Sequence, residues 1–320
     1  MSVGVLNMKR IDGFLNLNEI LEVDDVMNIF KLIKQLKKIP GLKIVKKFKS
    51  KNNTQLVFSF RYNNTTYYFK YDALIENGIP MIYPYNELLA YYVAKDMNLP
   101  CVCYDLATIG GLKGVISKDF KESKAQYISG KEILLFNYGK NYFVNNNLLD
   151  SWVALEEYYR FNPNKQSIVK TIVYELIKLF IFDIFLGQTD RHYFNWGIVE
   201  YDNGEVHLQP ICDNYRILIG SANNIDVEYQ IDSDTFSVKD NIYKFLRESD
   251  KEFSDLFASF LWVISPENID RIINLIELET NNPMPENVKN FYKIRLKEYY
   301  NYFNELLQTK DFKLVRETHK

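Results

Sequence analysis

Cysteine is scarce in this 320-residue chain: Cys101, Cys103 and Cys212 are all there is. Three thiols cannot build a disulfide framework, and they read as reduced, small apolar residues of a cytosolic protein. Cys101-x-Cys103 lacks zinc-finger spacing and has no second pair. Glycine is also sparse, at 13 residues, and charge of either sign is balanced, with 39 Lys and Arg against 41 Asp and Glu. A formal charge of −2 gives the molecule no electrostatic case for binding nucleic acid. No uninterrupted apolar span suits a membrane: the best candidate, 168–186, carries Lys170, Glu175, Lys178 and Asp183, which a bilayer-spanning helix accommodates poorly. The opening MSVGVLNMKRIDGF has neither an apolar h-region nor a small-residue cleavage site. The expectation is therefore a cytoplasmic protein with no membrane contact; export without a classical signal peptide is the other expectation. No repeat or low-complexity segment is visible.

What is present is apolar material for a sizeable core, 47% of the residues, with 24 Tyr and 22 Phe. DDVMNIFKLIKQLKK (24–38) has apolar residues at helical spacing, with aspartates first and lysines last, and Ile39-Pro40-Gly41 stops it. QLVFSFRY (55–62) and TTYYFKYD (65–72) alternate on either side of Asn63-Asn64, the pattern of a β-hairpin. PYNELLAYYVAKDMNLP (84–100) predicts a helix with Asn86 as its cap. CVCYDLATI and LKGVISKDF add two strands around Gly110-Gly111. The second half is mainly helical: LLDSWVALEEYYRF, then QSIVKTIVYELIKLFIFDIFL, then amphipathic helices from about 236, the last near 284–307. A short hairpin, WGIVEY–DNG–EVHLQPICD, interrupts it. The predicted architecture is an α+β, bilobal, protein-kinase-like layout: a small β-rich lobe over 1–119 and a larger helical lobe over 120–320.

The candidate chemistry lies in GQTDRHYFNWG (187–197), directly after the most apolar helix. Phosphoryl transfer needs a base for the attacking hydroxyl, oxygen ligands for Mg²⁺ and a cation on the ATP phosphates. In protein kinases an Asp lies five residues before a metal-binding Asn, and a second metal-binding Asp follows at the end of a strand. Asp190 and Asn195 have that spacing, and Asp213 ends the hairpin that follows. Carboxylate and carboxamide oxygens are the hard donors Mg²⁺ prefers. Lys70 in YYFKYD is the candidate phosphate lysine, and Glu87, early on the next helix, its ion-pair partner. No G-x-G-x-x-G precedes the hairpin; KSKNNT (49–54) is the one candidate phosphate loop, with asparagines that tolerate positive φ. Each residue alone has a plainer reading: capping and loop residues for Asp190, His192 and Asn195, a solvated strand lysine for Lys70, a dipole-complementing acid for Glu87. Those readings do not explain the spacing, the hairpin and Asp213 together. Asp183, on the apolar helix, is expected to accept hydrogen bonds from backbone N–H groups of the loop.

These residues also carry a resemblance. D-R-H-x-x-N-x-G at 190–197, followed by P-I-C-D-N at 210–214, resembles the HipA-like kinases, bacterial serine/threonine kinases of which many belong to toxin–antitoxin systems. The D-R-H-x-x-N shape is shared with phosphoinositide-kinase-like enzymes of the same fold. RYNNTTYYFKYD, NELLAYYVAKDMNLP, GVISKDF and LFIFDIFLGQTDRHYFNWG are similar to the small, stand-alone CtkA-type members, over about 54–220. The resemblance implies Asp190 as catalytic base, His192 as a loop-structuring residue, Asn195 and Asp213 as Mg²⁺ ligands, and Lys70 on the phosphates. It implies a hinge at Lys118 to Phe120 beside adenine, and Ser50 or Thr54 as sites of autophosphorylation. It also implies ATP and Mg²⁺ as cofactors, a protein substrate such as a translation factor or host protein, and an antitoxin as partner. A small-molecule or lipid kinase, or a non-catalytic nucleotide-binding module, would use the same parts.

Overall fold

The structure is a computed structural model that describes residues 43–49, 55–62, 65–72, 83–109, 112–121, 125–139, 148–160, 166–188, 191, 193–218 and 251–308. The helix expected at 24–38, the 49–54 loop beyond Lys49, Ser50, Thr54, the turns at 63–64 and 110–111, and the stretch 236–250 lie outside them. The chain divides into two compact units, Met1–Leu88 with Val102–Phe120, and Leu89–Cys101 with Lys121–Lys320.

The first unit is built on a five-stranded antiparallel sheet in the order β1-β2-β3-β5-β4. Its strands are β1 (Lys43–Lys49), β2 (Gln55–Tyr62), β3 (Thr65–Asp72), β4 (Tyr104–Ile109) and β5 (Leu112–Lys118). The hairpin read from the alternation is there with the expected ends: Tyr62 pairs with Thr65 and Gln55 with Asp72. β3 is a central strand, paired on its other edge with β5, Lys70 opposite Val115. Phe69, Val115 and Ile116 are buried, and since neighbouring strand residues point to opposite faces, the sheet is covered on both sides here. Gly114 is required by this pairing. A Cβ there would collide with the Lys70 carbonyl, so only a residue without one lets β5 approach β3 so closely.

Helix α1 (Tyr83–Asp96) follows β3. It begins with Pro84 in its first turn, a position where the missing N–H costs nothing. Asn86 is therefore not the cap that the sequence suggested; it lies inside the helix and is buried.

In the second unit a three-stranded antiparallel sheet, β6 (Ala125–Ser129), β7 (Gly197–Tyr201) and β8 (Val206–Leu208), carries the expected hairpin with β6 as an added edge strand. Ser129 then caps α2 (Gly130–Tyr138): its hydroxyl accepts from the Glu132 N–H, and Glu132 accepts from the Ser129 N–H. This S-x-x-E box is a sequence-level helix signal, yet strand and helix were both missing from the sequence reading. The larger helices are α3 (Leu148–Arg160), α4 (Gln166–Phe185), α5 (Lys251–Phe260), α6 (Pro266–Thr280) and α7 (Glu286–Gln308). α4 supplies the core. Phe185 packs edge-on against Phe257 with ring centroids 4.9 Å apart, and against Phe303; all three are buried. Each such ring contributes roughly 1.5–3 kcal/mol by leaving water.

Three of the four charges that made α4 a poor membrane helix have partners, and the fourth, Lys170, is exposed. Glu175 accepts from the Leu208 N–H at 2.8 Å, Lys178 donates to the Asn98 carbonyl at 2.8 Å, and Asp183 pairs with Arg191. Among the described residues no helix is long and apolar enough to cross a membrane. The Asn98 carbonyl belongs to a left-handed turn that ends α1, and burial lowers the Lys178 ammonium pKa there. Asp96, at the end of α1, is bound by Asn268 and Arg271 of α6.

Candidate active site

The first cluster belongs to the strand-rich unit. Lys70 is buried on β3, and its ammonium donates to Glu87 Oε1 at 2.8 Å and to the Tyr104 hydroxyl at 3.3 Å. It also lies 5.3 Å from the centroid of the Tyr104 ring. Glu87, in the first half of α1, is 1% exposed. The pair expected from the sequence therefore forms, and both members are shielded from water; the solvated-lysine reading of Lys70 fails. Strand register explains the lysine's orientation: Phe69 and Lys70 point to opposite faces, and Lys70 takes the face covered by Glu87 and Tyr104. Tyr104 was not singled out from the sequence.

Lys118 and Phe120 lie at the end of β5. Lys118 pairs across the sheet with Tyr67 and is exposed, Phe120 is half-buried, and the Asp119 N–H donates to the Thr66 carbonyl at 2.9 Å. These contacts fix the backbone that the resemblance designates as a hinge.

The second cluster belongs to the helical unit. Asp190 and His192 lie outside the described residues; Arg191, between them, is described. Its guanidinium is the centre of the cluster. Nε and Nη2 grip the Asp183 carboxylate at 3.0–3.2 Å. Nη1 donates to the carbonyls of Asn195 (3.1 Å) and Cys212 (3.0 Å), and Nη2 to Asn214 Oδ1 at 2.7 Å. A guanidinium has five N–H groups in a rigid fork, and this set engages all of them. One side chain thus ties the end of α4, Asn195 and the segment at 212–214 together.

Among the described residues Asp183 therefore pairs with the Arg191 side chain and with no backbone N–H of the loop, where the sequence predicted such N–H groups. The reason is charge. A carboxylate on a core helix needs a buried countercharge more than it needs neutral donors. Burial by itself lowers the Arg191 pKa, but the Asp183 charge and hydrogen bonds outweigh it and raise the value, so the arginine is held as the cation. Burial likewise pushes the Asp183 carboxyl up, against the pull of Arg191. The bidentate contact is that of an ion pair.

Asn195 is buried and Asp213 half-buried. Asp213 has φ of +64°, a left-handed conformation in which Asp is tolerated better than most residues but which is still uncommon. The Asp213 carbonyl accepts from Gln188 Nε2 at 3.3 Å, and the Leu218 N–H donates to the Leu186 carbonyl at 2.9 Å. These bonds link the segment after α4 with the segment around Asp213. The N-terminus of α2 holds the other side of the loop: Gly130 N–H donates to the Trp196 carbonyl and Lys131 N–H to the Tyr193 carbonyl, both at 2.9 Å. A Cβ on Gly130 would meet the Trp196 ring. The structure thus brings the Asn195 backbone and the two neighbours of Asp213, Cys212 and Asn214, onto one arginine, and the side chains of Asn195 and Asp213 carry the kind of hard oxygen donor suited to Mg²⁺.

Arg191, Asn214 and Gln188 were missed from the sequence. A signal existed: an acid on an otherwise apolar helix calls for a buried cation nearby, and Arg191 follows eight residues on.

This strand-rich and helical pair of units is a protein-kinase-like fold. The structure is similar to the Helicobacter pylori proinflammatory kinase CtkA, with a TM-score of 0.60 and 20% sequence identity over 86% of this chain and 96% of that one. It is also similar to a chain of the Shewanella oneidensis MR-1 toxin–antitoxin complex of HipA, HipB and operator DNA, with a TM-score of 0.50 and 15% identity over 89% and 73% of the two chains. No protein-family model matches the sequence, and neither does any curated protein.

Proposed function

We propose that this protein is an ATP- and Mg²⁺-dependent serine/threonine protein kinase. The observation that carries the reading is the buried Lys70–Glu87 pair, 2.8 Å long, in a kinase-like fold. A lysine is costly to bury, and placing one on a central strand against a helix glutamate is the arrangement that aims an ammonium at nucleotide phosphates.

In this mechanism Lys70 neutralises charge on the phosphates, and Glu87 with the Tyr104 hydroxyl sets its direction. Asn195 and Asp213 would hold Mg²⁺, which when bound supplies positive charge to the β- and γ-phosphate oxygens. Asp190 accepts the proton of the attacking serine or threonine hydroxyl. The hydroxyl oxygen forms the new bond to the γ-phosphorus, the bond from that phosphorus to the β–γ bridging oxygen breaks, and ADP leaves with the electron pair. Arg191 touches no substrate; it keeps the loop and the Asp213 segment in register, the kind of support positioned catalytic groups need.

The test is γ-phosphate transfer from labelled ATP with Mg²⁺, to the protein itself and to a generic protein substrate, in wild type, Asp190→Ala and Asp213→Ala. Transfer to serine or threonine in wild type, reduced about 100-fold or more in both variants, is the expected result. Equal transfer in all three proteins, or none in wild type, would overturn the reading.

A further inference from the structure

Phe194 is an exposed aromatic residue in the loop that carries the proposed chemistry. It precedes Asn195 directly and is 55% exposed, while Asn195 and Trp196 on its other side are 7% and 4% exposed. The ring is positioned rather than loose. The Tyr193 carbonyl is bound by the Lys131 N–H at 2.9 Å, the Lys131 ammonium lies 5.0 Å from the Phe194 ring centroid, and the Tyr193 ring lies 4.8 Å away. The Phe194 ring thus stands at the surface directly beside a buried residue of the proposed site.

We infer that Phe194 is a specificity-determining residue that contacts an apolar side chain of the protein substrate near the phosphorylated hydroxyl, an inference that rests on the kinase reading above. The distances favour it. Adjacent Cα atoms are about 3.8 Å apart, so the ring is anchored one residue from the proposed metal ligand. An extended substrate advances about 3.3 Å per residue, which places the ring opposite a substrate position within about three residues of the acceptor. An aromatic face there favours leucine, isoleucine, methionine or phenylalanine over aspartate and glutamate, whose hydration it would disrupt.

The experiment is phosphorylation of a positional-scanning peptide library around a central Ser/Thr, by wild type, Phe194→Ala, Phe194→Leu and Phe194→Glu, with Phe136→Ala as control. Phe136 is comparably exposed but lies on α2 against Tyr158. Wild type is expected to prefer apolar residues at one position within three of the acceptor, by about tenfold. Phe194→Ala flattens that preference, Phe194→Leu keeps most of it, Phe194→Glu turns it towards lysine and arginine, and Phe136→Ala leaves it as in wild type. Peptide transfer with the same residue preferences in the Ala and Glu variants as in wild type overturns the inference while leaving the kinase reading intact. Failure of wild type to phosphorylate both the library and itself overturns the kinase reading, and this inference with it.

Discussion

Lys70 in the strand-rich unit and Arg191 in the helical unit are both buried cations held by a buried carboxylate, and the chain uses them differently. Lys70 is a point charge at the tip of a flexible stem, gripped by one carboxylate oxygen and one phenol. Arg191 is a planar fork with every N–H engaged by the protein: one carboxylate, two carbonyls and one amide oxygen. An ammonium pairs readily with a phosphate, whereas a saturated guanidinium has nothing left to offer one. Under the proposed kinase reading the contrast gives the phosphate contact to the lysine and a supporting role to the arginine, although both sit in stretches where a sequence motif alone would treat every charged residue as catalytic.

The sharpest way to break that distinction is to remove Arg191. Arg191→Met strands the Asp183 carboxylate in the core and removes the donors from the carbonyls of Asn195 and Cys212. A loss of about 3–5 kcal/mol is expected, seen in urea unfolding. Adding Asp183→Leu should restore only part of it, because those carbonyls remain without the guanidinium. Full recovery in the double variant would reduce the cluster to a simple ion pair.

Lys70→Met should cost about 3 kcal/mol, since it leaves Glu87 buried without its cation. Here the double variant with Glu87→Met should recover most of the stability, because among the described residues Glu87 is the lysine's ion-pair partner. Phosphoryl transfer should nonetheless stay at least about 100-fold down in both the single and the double variant. Stability and activity thus separate at Lys70, and the stability loss at Arg191 is the part that a second substitution cannot undo. Comparing the two double variants by unfolding midpoint and by labelled transfer decides it.

Much of this comparison was legible beforehand, and the reasons are physical. The β2–β3 hairpin was readable to the residue because period-two alternation and a two-asparagine connection fix its register. The Lys70–Glu87 pair was readable because a strand lysine and a glutamate on the next helix follow a fixed order along the chain. α4 was readable as a core helix from its apolar length, with Asp183 as its anomaly. Arg191 was not read, because its role comes from four acceptors spread from residue 183 to residue 214. Convergence of that kind is set by tertiary packing, which no local pattern encodes. β6 and α2 were missed for a different reason. AQYIS is a short edge strand with weak alternation, and the Ser129–Glu132 capping box beside it was overlooked. Asn86 was read as a cap because it is a good capping residue; Pro84 starts the helix earlier.

Backbone packing under the lysine gives a smaller effect. Gly114→Ala puts a Cβ onto the Lys70 carbonyl, and β3 and β5 must separate to admit it. A loss of about 1–3 kcal/mol is expected, with reduced transfer because Lys70 moves with its strand. Gly130→Ala is the counterpart in the helical unit, where the new methyl meets the Trp196 ring. A side chain can yield where a backbone carbonyl in a ladder cannot, so Gly114→Ala should be the more damaging of the two. Thermal melting of both variants ranks them, and the opposite order would place the tighter backbone in the helical unit.

The smallest effect marks what an ion pair contributes when it is not buried. Glu277, near the end of α6, accepts from Lys289 Nζ at 2.7 Å and from the Met284 N–H at 2.8 Å. The lysine hydrogen bond lowers the Glu277 pKa against the opposing effect of burial, and the backbone bond and the lysine charges add to it. The sign follows directly. A depressed carboxylate stabilises the fold above its unfolded pKa, ordinarily 4.5, and that contribution disappears as the pH falls through the lowered folded value. Glu277→Gln should therefore melt slightly earlier than wild type at pH 7, and the difference should shrink below pH 4.5 as the wild-type carboxylate is protonated. Salt should shrink it as well, because the pair is near water. Arg191→Met should keep its deficit in salt, since its ion pair is shielded from solvent. Melting curves of the two variants at low and high ionic strength compare the cases directly, and a salt-sensitive deficit in Arg191→Met would mean that water reaches the guanidinium.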